Sequence, residues 1–135
     1  MLLHNQTQAI QRMNTLAKEG KDFFFIINYR ADSAYIEEFT NIDPRELLFS
    51  FPTLSNIPEA ESYSSEAVEW HTEPLTREDY EHRINLVKQR EREGDSYLAN
   101  LTCKIPVHTN LSLHDIFMRS KALYRCWMKE KFVCF

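Results

Sequence analysis

Apolar positions along this chain follow two rhythms, one near 3.6 residues and one of 2, and the switches between them mark out the elements. Between Gln6 and Glu19, Ile10, Met13, Leu16 and Ala17 share one helical face, and Gly20 supplies the stop. Residues 23–29, Phe-Phe-Phe-Ile-Ile-Asn-Tyr, are apolar on both faces and predict a central strand. Residues 30–33 make a polar turn, and 34–39 predict a second strand pairing back on the first. Asp43-Pro44-Arg45-Glu46 is a turn that delivers a third strand over 47–51, closed by Pro52. Residues 52–75, rich in Ser, Glu and Pro, predict a connector anchored by Tyr63, Val68 and Trp70.

The most strongly signposted stretch is 76–107. Thr76, with Asp79 three residues on, forms a capping pattern, and Tyr80, Ile84 and Val87 fall at i, i+4 and i+7. Residues 88–93 are all polar, and Gly94 ends the helix. From Tyr97 to Val107 the apolar residues alternate, with Tyr97, Ala99, Leu101, Cys103, Ile105 and Val107 on one face and Asn100, Thr102 and Lys104 on the other. That pattern predicts a long half-buried strand with Leu101 turned inward and Asn100 outward. Ser112 with Asp115 opens another helix, with Leu113, Ile116, Phe117, Leu123 and Tyr124 available for a core, and 131–135 predict a last strand.

Composition narrows the possible functions. At 135 residues the chain makes one domain at most, and the net charge of −4 offers no basic stripe for a nucleic acid backbone. Cys103, Cys126 and Cys134 form neither an even set nor a C-x-x-C pair, so reduced cytoplasmic thiols are expected rather than a disulfide framework or zinc ribbon. His4, His71, His82, His108 and His114 show no metal-ligand spacing. No run approaches the about 20 apolar residues that cross a bilayer, and the start lacks a basic and apolar leader pattern. The expectation is a cytoplasmic protein with no nucleic acid or membrane partner.

The order Tyr80, Ile84, Val87, Gly94-Asp95, Tyr97, Asn100-Leu101-Thr102 resembles the chorismate-utilising enzymes, and within them the aminodeoxychorismate synthase component I (para-aminobenzoate synthase component I) family. Leu98 stands where many members have Gln. The likeness continues through Ser112-Leu113-His114-Asp115-Ile116-Phe117 and 120–124 to 131–135, and is weaker before Thr76. In complete members the strand resembling 132–135 runs into Ser-Pro-Glu, whose glutamate acts on chorismate, and the lysine-bearing segment and Mg²⁺-holding glutamates lie further on. The resemblance therefore implies one probe-able expectation: an N-terminal portion of the enzyme domain over 1–135, without its active site, belonging to para-aminobenzoate and folate synthesis. It also implies chorismate as substrate, Mg²⁺ in the complete enzyme and a glutamine amidotransferase partner.

The fold expected is α+β, with helices flanking a mostly antiparallel sheet, and the apolar edges at 23–29 and 131–135 imply self-association. No catalytic, metal or cofactor residue is assigned. The close carboxylate pairs, Glu37 with Glu38, Glu59 with Glu61 and Glu91 with Glu93, read as solvated surface charge. Larger members hold an effector-like tryptophan beside a serine that follows the first long strand, which makes Ser33 a candidate near an effector. Asn100 and Thr102 are candidates near substrate. Alternatives are a non-catalytic remnant or a module that docks an amidotransferase, and, within the family, anthranilate synthase component I.

Overall fold

A computed structural model describes residues 2–59, 63 and 65–135. In chain order the elements are β1 (Leu3–Asn5), α1 (Gln6–Lys18), β2 (Phe23–Ile27), β3 (Ser33–Glu38), β4 (Leu47–Phe51), β5 (Leu54–Ser55), β6 (Trp70–Thr72), α2 (Arg77–Arg92), β7 (Val107–Thr109), α3 (Leu113–Arg119), β8 (Arg125–Met128) and β9 (Phe132–Cys134). Every strand pairing among them is antiparallel. The fold is α+β, as the periodicities predict. The chain divides into two units, Met1–Ser64 with Leu113–Phe135, and Ser65–Ser112.

In the first unit, strand alternation builds four layers. One sheet has the order β1-β3-β2 and the other β5-β4-β8-β9. Ala34 and Ile36 of β3 turn to α1, where they are buried with Ala9 and Leu16 and flanked by Met13 and Phe23. Their neighbours on the opposite face, Tyr35 of β3 with Phe24 and Ile26 of β2, pack on Leu47, Phe49, Cys126 and Met128 of the second sheet. The far face of that sheet, Leu48 and Trp127, closes on Phe117 of α3 with Leu113, Met118 and Val133 around it. The central strands β3, β4 and β8 thus alternate between two packed interfaces, which is why β4 and β8 are apolar on both faces.

This arrangement corrects the expected place of β2. The run at 23–29 is an edge strand of five residues, with β3 in the centre of its sheet. Phe24 and Ile26 pack on the second sheet and Phe23 against the α1 cluster, so an apolar run does not require a strand neighbour on each edge. Phe25, at 52% exposure, and Ile27 remain open to solvent.

Helix α1 starts on Asn5, whose side chain accepts from the Gln8 N–H while the Gln8 side chain accepts from the Asn5 N–H. Its buried stripe is Ala9, Met13 and Leu16, rotated from the expected Ile10–Ala17 face, and Ile10 is 51% exposed. Gly20 follows with φ +66°, the left-handed conformation that glycine enters freely. The turn before β4 is held by Asp43, whose carbonyl accepts from the N–H groups of Glu46 and Leu47. On the other side of β4, Asn56 Oδ1 accepts from the Phe49 N–H at 2.8 Å and Asn56 Nδ2 donates to the Leu47 carbonyl at 2.8 Å.

Strand β8 has no clear signal in the sequence, since Cys126, Trp127 and Met128 are consecutive and all buried. It pairs with both β4 and β9, so the expected strand at 131–135 is realised as the outer arm of a hairpin. Helix α3 ends at Arg119, earlier than expected, and Leu123 and Tyr124 lie beyond it, exposed. Arg125 closes that helix end. Its Nη1 donates to the carbonyls of Phe117 and Ser120, and its guanidinium lies 5.1 Å from the Phe117 ring centroid. A cation over the last carbonyls also complements the helix dipole.

In the second unit, Thr76 caps α2 by accepting from the Asp79 N–H at 3.1 Å, and its hydroxyl donates to Asp79 Oδ2 at 2.7 Å. The Asp79 side chain therefore reaches the capping hydroxyl rather than the cap backbone. Thr76→Ala is expected to cost about 0.5–2 kcal/mol of helix stability. Thermal melts followed by circular dichroism check this, and an unchanged melt would show that the cap contributes nothing.

The long strand expected from Tyr97 to Val107 does not form. Residues 97–106 carry no strand pairing, Tyr97 and Leu98 are 96% and 90% exposed, and only β7 pairs, with β6. Alternation is necessary for a half-buried strand but supplies no partner, and this unit pairs only three residues on each strand. The expected apolar face is kept only in part, since Tyr97, Ala99, Ile105 and Val107 are exposed. Leu101 and Cys103 are half-buried, Asn100, Thr102 and Lys104 are exposed, and Leu101, Cys103 and Ile105 line a groove with Leu75, Thr76 and Tyr80. Asn110 ties the ends of the unit, accepting from the Glu69 N–H and donating to the Ala67 carbonyl.

Candidate functional site

In the first unit, β2 and β4 leave an aromatic concavity where the two sheets meet. Phe24, on the inner face of β2, stacks on Phe49 of β4 at 4.9 Å between centroids, and Phe51 follows at 5.3 Å from Phe49. Phe23, Phe25, Phe39 and Leu54 complete the walls of a space of about 300 Å³. Across Phe51 lies a second open concavity of about 240 Å³, walled by Tyr124, Arg125, Cys126, Cys134 and Phe135. Their linings are mainly carbon and sulfur, suited to apolar contact and thiol chemistry rather than proton transfer.

Ser33 begins β3 and is half-buried. Its N–H donates to Asn28 Oδ1 at 3.3 Å, and it lines a third cleft of about 140 Å³ with Ile10, Met13, Ile27 and Ala31. That cleft lies on the α1 side of the first sheet, not between the sheets. Asn100 and Thr102 are exposed residues of the second unit, on the unpaired segment that follows α2. Sequence reasoning overlooked the Cys126 and Cys134 pair. The two residues stand opposite each other across the β8·β9 hairpin, a proximity visible only once β8 is recognised.

Ionisable groups show strong local pairing. Glu38 is held below the ordinary carboxylate range by Lys21, 3.1 Å away, and the Thr40 hydroxyl also donates to it. Lys21 is held correspondingly high by Glu38 and Glu19, the reverse of the lowering that would activate a lysine as nucleophile. Glu93 accepts from Gln89 and Arg90. Glu61 lies outside the described residues. Burial, and the adjacent Cys134, push the Cys126 thiol up to about 12. Among the described residues no group of three or more His, Cys, Asp or Glu side chains could hold a metal ion.

The Arg45 guanidinium and backbone N–H hold Asp43 at about 2, against an ordinary 3.8. A carboxyl depressed in the folded chain contributes stability above its unfolded pKa and loses that contribution as pH falls through the folded value. The contribution of Asp43 is therefore expected to fade between about pH 4 and pH 2. Carboxyl-carbon NMR should find a midpoint near 2, with Arg45→Ala returning it toward 3.8. A midpoint already at the ordinary value in the unmodified chain would contradict the pairing.

These features define an α+β sandwich with aromatic and thiol-lined concavities. The chain is similar to an uncharacterized PabA-like protein of Pasteurella multocida, at 27% identity over 126 residues, covering 93% of this chain and 39% of that protein. It is also similar to an uncharacterized PabA-like protein of Haemophilus influenzae, at 29% identity over 131 residues, covering 93% of this chain and 38% of that protein. The chain thus spans about two fifths of the length of these curated relatives. No protein-family model matches it, and no solved structure does.

Proposed function

We propose that this chain is the N-terminal portion of an aminodeoxychorismate synthase component I-like enzyme of para-aminobenzoate and folate synthesis, and that it is inactive alone. The observation that carries this is the similarity to PabA-like proteins over 93% of the chain. The choice of component rests on the resemblance of Gly94-Asp95, Tyr97 and Asn100-Leu101-Thr102 to the chorismate-utilising enzymes.

In this reading chorismate is the substrate of the complete enzyme, Ser33 lies near an effector, and Asn100 and Thr102 lie near substrate. A glutamine amidotransferase supplies ammonia. Among the described residues no group of three or more His, Cys, Asp or Glu could hold the Mg²⁺ that the resemblance implies, and Glu38 and Asp43 are engaged by Lys21 and Arg45. No reaction step is assigned to them. A cytoplasmic setting goes with this pathway, and among the described residues no helix is long and apolar enough to cross a membrane.

The test supplies the purified chain with chorismate, Mg²⁺ and ammonia, alone and together with the complementary portion of the Pasteurella relative. No aminodeoxychorismate is expected from the chain alone, and measurable product is expected from the mixture. Turnover by the chain alone would overturn the assignment of an inactive portion. A mixture in which the two portions associate without turnover would support the second reading, a non-catalytic remnant or docking module. What favours that second reading is the aromatic concavity around Phe24 and Phe51, which offers contact surface rather than acid or base groups.

A further inference from the structure

The β8·β9 hairpin sets Cys126 directly opposite Cys134, with the side chains on the same face of the sheet. Opposite residues of an antiparallel pair have Cα atoms about 4.5–5.5 Å apart, inside the about 4.4–6.8 Å that a disulfide spans. Cys134 is also among the causes that raise the Cys126 thiol, as expected of a neighbour that faces it across the hairpin. Both line the open concavity beside Phe51, Tyr124 and Phe135. Cys126 is buried at 7% exposure, whereas Cys134 is exposed, and both are free thiols.

We propose that Cys126 and Cys134 form a redox-active dithiol that a low-molecular-weight disulfide such as oxidised glutathione converts into a cross-strand disulfide. The Cys134 thiolate attacks one sulfur of oxidised glutathione, breaking its S–S bond, forming a mixed disulfide and releasing one glutathione thiolate. Cys126 then gives up its proton, which the released thiolate takes, and its sulfur attacks Cys134 Sγ. The new S–S bond joins the two strands and expels the second glutathione thiolate, which is protonated by solvent using the proton first lost from Cys134. In balance, two protein thiols are oxidised by two electrons while one oxidised glutathione is reduced to two glutathiones.

The order of attack follows from exposure. Cys134 meets the oxidant, and Cys126 resolves the mixed disulfide from within the sheet. Opposite Cβ atoms sit about 4.5–5.5 Å apart in such a pair, whereas a relaxed disulfide holds them at about 3.5–4.5 Å. Closure therefore draws the strands together and leaves a bond that small dithiols reopen. A reducing cytoplasm keeps the pair as thiols, consistent with a site that responds to oxidant rather than a permanent staple.

The full 135-residue chain is incubated with oxidised glutathione, and its thiols are counted and its disulfides mapped by mass spectrometry without reduction. Expected is the loss of two of the three titratable thiols, a Cys126–Cys134 linkage, a mass 2 Da lower and full reversal by dithiothreitol. Cys103→Ser should behave the same way apart from its missing thiol. Cys134→Ser, a change at an exposed position, should retain two thiols and form no intramolecular bond. Three thiols remaining after excess oxidant, a linkage to Cys103, a dimer joined through Cys134, or a stable glutathione adduct on Cys134 would each overturn the proposal.

Discussion

Phe49→Ala is expected to destabilise the first unit by about 3–5 kcal/mol, the range for removing a fully buried phenylalanine. Phe49 has no exposure and sits between the sheets, where Phe24 stacks on it, Phe39 meets it edge-on at 5.7 Å and Phe51 lies beside it. Truncation opens a cavity walled by rings that are held by two different sheets, so neither sheet can relax into it without moving the other. Leu101→Ala should cost less than the about 2–5 kcal/mol of a fully buried leucine, because Leu101 is only half-buried in an open groove. Urea unfolding of both variants, followed by Trp127 fluorescence for Phe49→Ala and by helix signal for Leu101→Ala, compares them. Equal losses, or a larger loss at Leu101, would invert this ranking of the packing.

Amide exchange should separate the two units by orders of magnitude. Strands β4 and β8 carry Leu47, Leu48, Phe49, Cys126, Trp127 and Met128, all buried, and their amides are expected to open only with global unfolding of that unit. Helix α2 has no buried residue among its 16, and its ends rest on Thr76 and on Gly94 at φ +84°. An amphipathic helix draws most of its stability from an apolar face packed on something else, so α2 should exchange through local fraying and opening. Hydrogen exchange mass spectrometry reads the contrast directly. Protection in 77–92 equal to that in 47–51 would show that α2 is held far more firmly than its own packing provides.

Much of the fold was legible because local rules and tertiary packing agreed. Strand β4 falls where the Asp43-Pro44 turn predicts it, and α1 and α2 begin and end close to their cap residues. Where the two diverged, periodicity proved insufficient. Residues 97–106 alternate in sequence but lack a partner, and only Leu101 and Cys103 of the expected face are even half-buried, while β8 is a true strand that does not alternate, because both of its faces are buried. The same cause concealed the Cys126 and Cys134 pair, whose proximity depends on the hairpin and not on the seven residues between them. Ser33, Asn100 and Thr102 were chosen by resemblance. The structure puts Ser33 in a cleft against α1 and leaves Asn100 and Thr102 on an exposed segment.

Asn56 makes the second sheet asymmetric as a template. Its amide offers β4 one acceptor and one donor at Phe49 and Leu47, so a single side chain imitates a hydrogen-bonded neighbour just past the two residues of β5. The β4 backbone beyond β5 is satisfied there without a further strand. At the opposite margin β9 is the last strand, and Phe132 and Val133 remain only half-buried. The two margins of this sheet thus differ in how their backbone groups are satisfied, by a side chain beside β4 on one and by β9 alone on the other.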